Sequence, residues 1–584
     1  MTNVRRGLAI LIGAYVLLVL VDRFVLIQLL VQRTGLAIVL ATVTLLASIG
    51  TGFALRALFA RAWSPADLDL PRDLLLGYPV FGALCFLVGA VRIAGWTMIP
   101  LLSIAALGGL YIVIRRLESR PLVLPPPMRL FPALAVGIVF ACGFVTAQAP
   151  ASSLDELAYH LAIPWSWVKE GRAIDLPLIS HSYFPLGIES ADLPLLTLMG
   201  RDGAVASHFL HLGAALAATL LLYRLTRRDG LLTAAIVATP ALALTAGWSM
   251  ADWPLLGVCA AFVLGLEEED RPTVTAAITA GLLLKYTFIP FALIALLTTR
   301  QGRSMWRALW PAAIAGSLFF VRNLVLTHNP VAPFLTAGAP HVAGYRGHPY
   351  LSSYIFDGHF LDESLGASLL TACAAAGGLL PLTILGAAIV LFLMAPSARL
   401  LVPYLAIPAA RCRPGGRWFR VLLACAIAVQ LFLIVFFVDR SEVFSTMSGK
   451  ASDEEFLARQ RPSYTTIKAI DALLPEGSST LVVGLNETFW FGRRARGGGN
   501  FDGERMSRYF EAGVPERLYS QLKADGITHV AIVAPPTAIT AVAQKIEERS
   551  TVLSPEARRV LSLTLDRYAA SVTSRERATL FALR

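Results

Sequence analysis

Apolar runs near the ~20 residues needed to cross a bilayer recur along most of the chain and stop before its last ~140 residues. They cover 8–31, 35–59, 74–91, 98–114 and 130–147. A polar and aromatic stretch, 148–205, interrupts the series. The runs resume at 209–223, 231–248, 254–266, 274–284, 288–297, 309–325, 369–395 and 419–438. Asp22 and Arg23 fall inside the first run, and 400–409 is too short to cross. The pattern predicts an α-helical polytopic membrane protein of about 11–13 spans.

Beyond residue 438 the pattern changes. Residues 467–474 and 520–525 have helical spacing, with Gly526 placed to cap the second. Residues 480–485, 528–533 and 579–583 read as short strands, so a small α/β domain is predicted. Arg493, Arg494 and Arg496 lead into Gly497, Gly498 and Gly499, which reads as a mobile basic loop, with phosphate binding the alternative. Three regions follow: N-terminal helices over 1–125, a membrane core over 126–438 carrying the loop 148–205, and a soluble domain over 439–584.

Composition agrees. The chain is 56% hydrophobic and 15% charged, with a mean hydropathy of +0.64, too little polar surface for a soluble protein of 584 residues. The net charge of +11 would point to nucleic acid in a soluble chain. Here much of the Arg sits in short loops between apolar runs, where it marks the cytoplasmic side. Arg5, Arg6, Arg56, Arg61, Arg115, Arg116, Arg120, Arg224, Arg227 and Arg228 fall on one side by this count. The loop 148–205 and everything after Asp439 then lie outside, in a protein of the cytoplasmic membrane. Met1 to Arg6 with the apolar run behind them imitate a signal peptide, but no small-residue cleavage site follows, so a retained helix is expected. The six cysteines show no zinc spacing and need no disulfide framework.

The densest chemistry lies in the outer loop. Ser153-Leu154-Asp155-Glu156-Leu157-Ala158-Tyr159-His160 sets adjacent carboxylates where a membrane helix ends. A carboxylate there could act as a general base. With His160, Asp155 and Glu156 could also hold a hard divalent cation, the one candidate cofactor. The plain alternative is a helix cap, Ser152 or Ser153 with Glu156. Farther on, Asp252 stands at a turn between two apolar runs, Lys285 interrupts another, and Arg322-Asn323 closes a third. Charges at membrane depth are functional by default, although a turn, a snorkelling side chain and an interface anchor explain each one singly. Two acids and two cations on one side would suit a phosphate leaving group and a deprotonated acceptor.

At these residues the chain resembles the GT-C superfamily of multi-span glycosyltransferases, especially bacterial lipid-linked-sugar transferases of the dolichyl-phosphate-mannose–protein mannosyltransferase and aminoarabinose-transferase type. The resemblance is carried by the acidic loop from Leu154 to Leu161 with Pro164, by Tyr183-Phe184-Pro185-Leu186-Gly187-Ile188-Glu189, and by His208 and His211. It continues through Asp252, Gly281 to Lys285, Arg322-Asn323 and Asn329-Pro330, and spans roughly 130–438. It implies a polyprenyl-phosphate sugar donor and transfer at the outer membrane face to a lipid, glycan or protein. Asp155, Glu156 and Asp252 would then be catalytic, and Lys285 and Arg322 would bind the donor phosphate. His160, Tyr183, Glu189 and Asn323 would support them. About four spans precede the one that usually comes first in such proteins, and Lys285-Tyr286-Thr287 stands where Lys-Gly-Pro or Lys-Pro is usual.

Two other classes compete with an enzyme. A transporter or flippase of a lipid-linked precursor would show repeated halves and broken helices with polar groups at the midplane. The sequence shows no internal repeat. An assembly protein using its C-terminal domain as a binding module would tolerate loss of Asp155.

Overall fold

A computed structural model describes residues 24–60, 64, 67–119, 126–298, 305–333, 416–498, 503–510, 513–533, 553–575 and 578–584. The apolar runs expected at 369–395 and 400–409, and most of that at 8–31, lie outside the described residues.

Among the described residues six helices are long and apolar enough to cross a membrane, or seven if one bent pair is a single span. The predicted runs at 8–31 and 35–59 are not separated at 32–34, because one helix, α1, runs unbroken from Phe24 to Phe59. α2 (Leu70–Val91), α3 (Gly95–Ser119) and α4 (Leu130–Ala147) follow. α3 leaves Trp96, Ile104, Leu107 and Tyr111 exposed. In water that face would be costly at ~25 cal/mol per Å², whereas lipid is its natural solvent.

After α4 come the short α5 (Ala162–Glu170), α6 (Gly187–Ala191) and α7 (Leu193–Met199), then the long α8 (Gly203–Leu225). The single span expected over 231–248 is broken instead. One helix covers Gly230–Val237, and a short one starts at Pro240, which has no N–H to continue the first. The chain then crosses 244–251 in turns packed on the end of α4, where a Cβ on Gly247 would come within 2.3 Å of the Gly143 carbonyl. Irregular backbone of this kind is tolerated at membrane depth when protein surrounds it, and Ala246, Ser249, Met250 and Ala251 are all buried.

α9 (Asp252–Glu267), α10 (Arg271–Leu284) and α11 (Phe288–Thr298) continue the bundle. The run at 309–325 becomes α12 (Leu309–Ala315) and α13 (Leu318–Thr327), bent by 57°. The last described span is α14 (Arg417–Arg440).

One end of this bundle is closed by charge. Arg56 pairs with Asp73, Arg224 with Asp69, and Arg72 with Glu268 and Asp270. Arg56 and Arg224, placed on one side by the sequence pattern, therefore share that end. His208 and Arg224 sit sixteen residues apart on α8, so the opposite end lies ~24 Å away along the helix.

The C-terminal region contains β1 (Ser479–Val483), β2 (Arg494–Arg496), β3 (His529–Val533), β4 (Ala569–Arg575) and β5 (Ala578–Leu583) in the order β2-β1-β3-β5-β4. β1 pairs parallel with β2 and β3, and β5 antiparallel with β3 and β4. Arg494 and Arg496, expected in a mobile loop, bound β2, one of the two edge strands. Alternate β1 side chains enter different cores: Leu481 and Val483 pack with the helices Pro515–Ala524 and Pro555–Tyr568, whereas Val482 packs with Ser463–Asp471.

Candidate functional site

α4 ends at Ala147, and the chain turns through 148–155 into one π-helical turn, Glu156–His160, closed by Leu161 N–H donating to the Glu156 carbonyl at 2.9 Å. Such turns recur at functional sites because they re-aim the side chains they carry. Here they send consecutive residues different ways. Glu156 is fully buried, while Asp155 stays half-buried.

The Glu156 carboxylate is held on several sides. Oε1 accepts from Ser249 N–H at 2.7 Å and lies 2.9 Å from His208 Nε2, and Oε2 accepts from Ser153 N–H at 3.2 Å. The last bond is half of the helix cap considered as the alternative; the others are long-range. Burial alone would raise this carboxyl, but the His208 charge and hydrogen bond, with the two amides, outweigh it and hold the group below the usual carboxylate range. The other ring nitrogen of His208 faces the Ala147 carbonyl, so the ring satisfies both oxygens only by donating from both nitrogens.

The broken helix supplies Ser249, and Asp252 follows three residues later, buried in the first turn of α9. Ser249 Oγ also meets Ser207 Oγ at 2.7 Å. One turn along α8, His211 donates from Nδ1 to the Met250 carbonyl and accepts the Tyr78 hydroxyl at Nε2, 2.8 Å away. α2 thus reaches the same end of the bundle as the acidic turn.

His160 turns away from Glu156 and meets Glu189 Oε1 through Nδ1 at 2.8 Å. Glu189 sits on α6, which lies against α2 so closely that a Cβ on Gly82 would fall 1.5 Å from the Gly187 carbonyl. Glycine is required there. A Cβ on Gly187 would in turn meet the carbonyls of Pro79 and Leu283, which sets α6 beside the end of α10, where Lys285 is the cap.

A series of ring contacts leads to the remaining residues. Tyr159 lies 4.0 Å from the His181 ring, His181 4.9 Å from Phe184, and Phe184 5.8 Å from Tyr286. Tyr286 Oη donates to the Tyr183 carbonyl, and Asn323 Nδ2 donates both to that carbonyl and to Tyr286 Oη. Arg322 donates from Nη1 to the Ser182 carbonyl at 2.7 Å and stacks over Phe86 and Tyr183. Its buried Nη2 has no partner among the described residues.

The structure therefore gathers Glu156 with Ser249 of the Asp252 turn, His160 with Glu189, and Tyr183 with Arg322 and Asn323. The side chains of Asp155, Glu156 and His160, expected as a candidate cation site, are not brought together. Glu156 turns to His208, His160 turns to Glu189, and among the described residues no group of three His, Cys, Asp or Glu side chains could hold a metal ion. His208 and His211 had only a place in a motif, and Tyr78, Ser207 and Ser249 had no role at all. Two histidines three apart in an apolar run were a usable signal; Tyr78 offered none.

No family model and no curated protein matches the chain. Among solved structures the chain is similar to ArnT from Cupriavidus metallidurans, both in its apo state and bound to undecaprenyl phosphate. Each comparison has 15% identity and a TM-score of 0.42, and covers 78% of this chain and 97% of the other.

Proposed function

We propose that this protein is a membrane glycosyltransferase that moves a sugar from a polyprenyl-phosphate donor to a lipid, glycan or protein acceptor at the outer face of the cytoplasmic membrane. The observation that carries the reading is the burial of Glu156 against His208 and Ser249. It anchors the acidic turn to the bundle, leaves its neighbour Asp155 half-buried, and draws the Asp252 turn to the same end. A half-buried acid can be reached by an acceptor hydroxyl, whereas a fully buried one cannot.

In this reading Asp155 accepts the proton of the acceptor hydroxyl as that oxygen attacks the anomeric carbon and the phosphate leaves. Lys285 and Arg322, whose Nη2 has no partner among the described residues, neutralise the leaving phosphate. Asp252 orients the reacting groups, and Glu156 acts through position rather than proton transfer. The order of motifs shared with GT-C transferases and the outward placement expected for the 148–205 loop support the same assignment. Mass spectrometry of envelope glycolipids and glycans in a deletion strain tests it. The expected result is loss of one glycosylated species with build-up of its polyprenyl-linked donor, both restored by the wild-type gene. An envelope identical with and without the gene would overturn it.

A further inference from the structure

The acidic turn is tied on two sides. Glu156 secures it to the membrane bundle, and the C-terminal domain grips the backbone on both sides of Asp155. Upstream, Arg461 donates from Nε to the Ser152 carbonyl. Downstream, Phe489 N–H donates to the Leu157 carbonyl at 3.4 Å. Arg461 is itself steered by the buried Glu487, whose Oε1 lies 3.5 Å from Nη1 and whose Oε2 accepts from Ser463 Oγ.

These bonds are embedded in a shared core. Ala149, Ala151, Leu157 and Leu161 of the loop pack in one cluster with Val482 and Phe489 of the C-terminal domain. The turn that carries Asp155 thus shares an apolar cluster with the C-terminal domain. Farther along the loop, Lys169 donates to the Arg493 carbonyl at 2.9 Å, and Arg201 to the Trp490 carbonyl at 2.6 Å. Trp165 Nε1 donates to the Phe491 carbonyl at 3.3 Å. Side-chain donors from the outer loop thus meet three carbonyls of one C-terminal segment, those of Trp490, Phe491 and Arg493. A free binding module would be expected to keep that segment for a partner.

We propose that the C-terminal domain holds the Asp155 turn in its working position, with Arg461 as the positioning residue; the catalytic consequence rests on the transferase reading above. Arg461 does not touch the reacting atoms. It fixes the carbonyl three residues before Asp155, and a carboxylate displaced by an ångström loses much of its use as a base.

The test uses the full-length protein in lipid nanodiscs, as wild type, Arg461→Ala and Arg461→Lys. Hydrogen exchange is read over 149–161, with 479–483 in the sheet as the folding control. Transfer from a labelled polyprenyl-phosphate sugar is read as kcat and donor KM. The expected result for Arg461→Ala is faster exchange over 149–161 with the sheet still protected. Its kcat should fall by ~10–100-fold at nearly constant KM. Arg461→Lys, which can still reach one oxygen, should recover part of both. Unchanged exchange over 149–161 in Arg461→Ala overturns the proposal, and so does unchanged kcat in an active protein. If Arg461→Ala loses sheet protection, Arg461→Lys carries the same two criteria. A wild type that transfers no sugar while Arg461→Ala loosens the turn removes the transferase reading and leaves the tie standing.

Discussion

Glu156 Oε1 and His208 Nε2 lie 2.9 Å apart with both side chains almost wholly shielded. The pair joins the loop after α4 to the start of α8, and the Ser249 amide adds the broken helix to the same oxygen. Removing one member of a buried pair leaves the other uncompensated, at a cost of ~3–5 kcal/mol. Glu156→Gln and His208→Gln should each lower thermal stability by about that much, and the double variant by clearly less than their sum. Additivity within ~0.5 kcal/mol in a double-mutant cycle would show that the two are not coupled. Because the Glu156 carboxyl is held below the usual range, its stabilisation is present at neutral pH and is lost as pH falls through the lowered pKa.

In the proposed site Arg322 has two jobs that variants can separate. Nη1 holds the Ser182 carbonyl, and Nη2 has no partner among the described residues. Arg322→Gln keeps a donor for the carbonyl and removes the charge, so donor KM should rise ~10-fold or more with little change in stability. Lys285→Ala should raise donor KM in the same way. A variant whose kcat falls while its KM stays at the wild-type value would remove that residue from the phosphate site.

Lys169 gives the loop a pH dependence. Burial of its ammonium under the 490–493 segment is the dominant effect, opposed by Asp471 and reinforced by Arg201, and lowers its pKa from 10.5 to about 7. The folded state therefore binds fewer protons than the unfolded one between those values. Stability should rise with pH across that window and level off below it. Lys169→Met should flatten this part of the profile in thermal unfolding of the full-length protein. An identical profile in the variant would assign the dependence to other groups.

Much of the architecture was legible because lipid selects for apolar length. The run at 130–147 matches α4 to the residue, since it is uniform and stops at Gln148. The run at 231–248 is just as apolar, yet Pro240 breaks it, and composition alone cannot distinguish a span from buried turns. β1, β3 and β5 announced themselves by β-branched or apolar runs. The three-residue edge strand Arg494–Arg496 did not, because its pairing with Ser479, Thr480 and Leu481 makes it a strand and its side chains do not.

The site was legible as a set of suspects and not as a set of pairs. Their spacing of four would set Glu156 and His160 on one face of an α-helix, but the π-turn re-aims them at His208 and Glu189, and those residues lie 52 and 29 positions along the chain. Tyr78 looked like one more aromatic in an apolar run. Its bond to His211 also gives the N-terminal helices a place at the site.

In the proposed reaction a half-buried acid, Asp155, beside an anchored one, Glu156, removes the acceptor proton. Sugar transfer by purified Asp155→Asn, beside wild type, from a labelled polyprenyl-phosphate donor tests it most directly. The substitution keeps the size of the side chain and removes nearly all its basicity. The expected rate is lower by ~10²–10⁴-fold, with membrane abundance and thermal stability near wild type. Transfer by an abundant Asp155→Asn protein at the wild-type rate would contradict it.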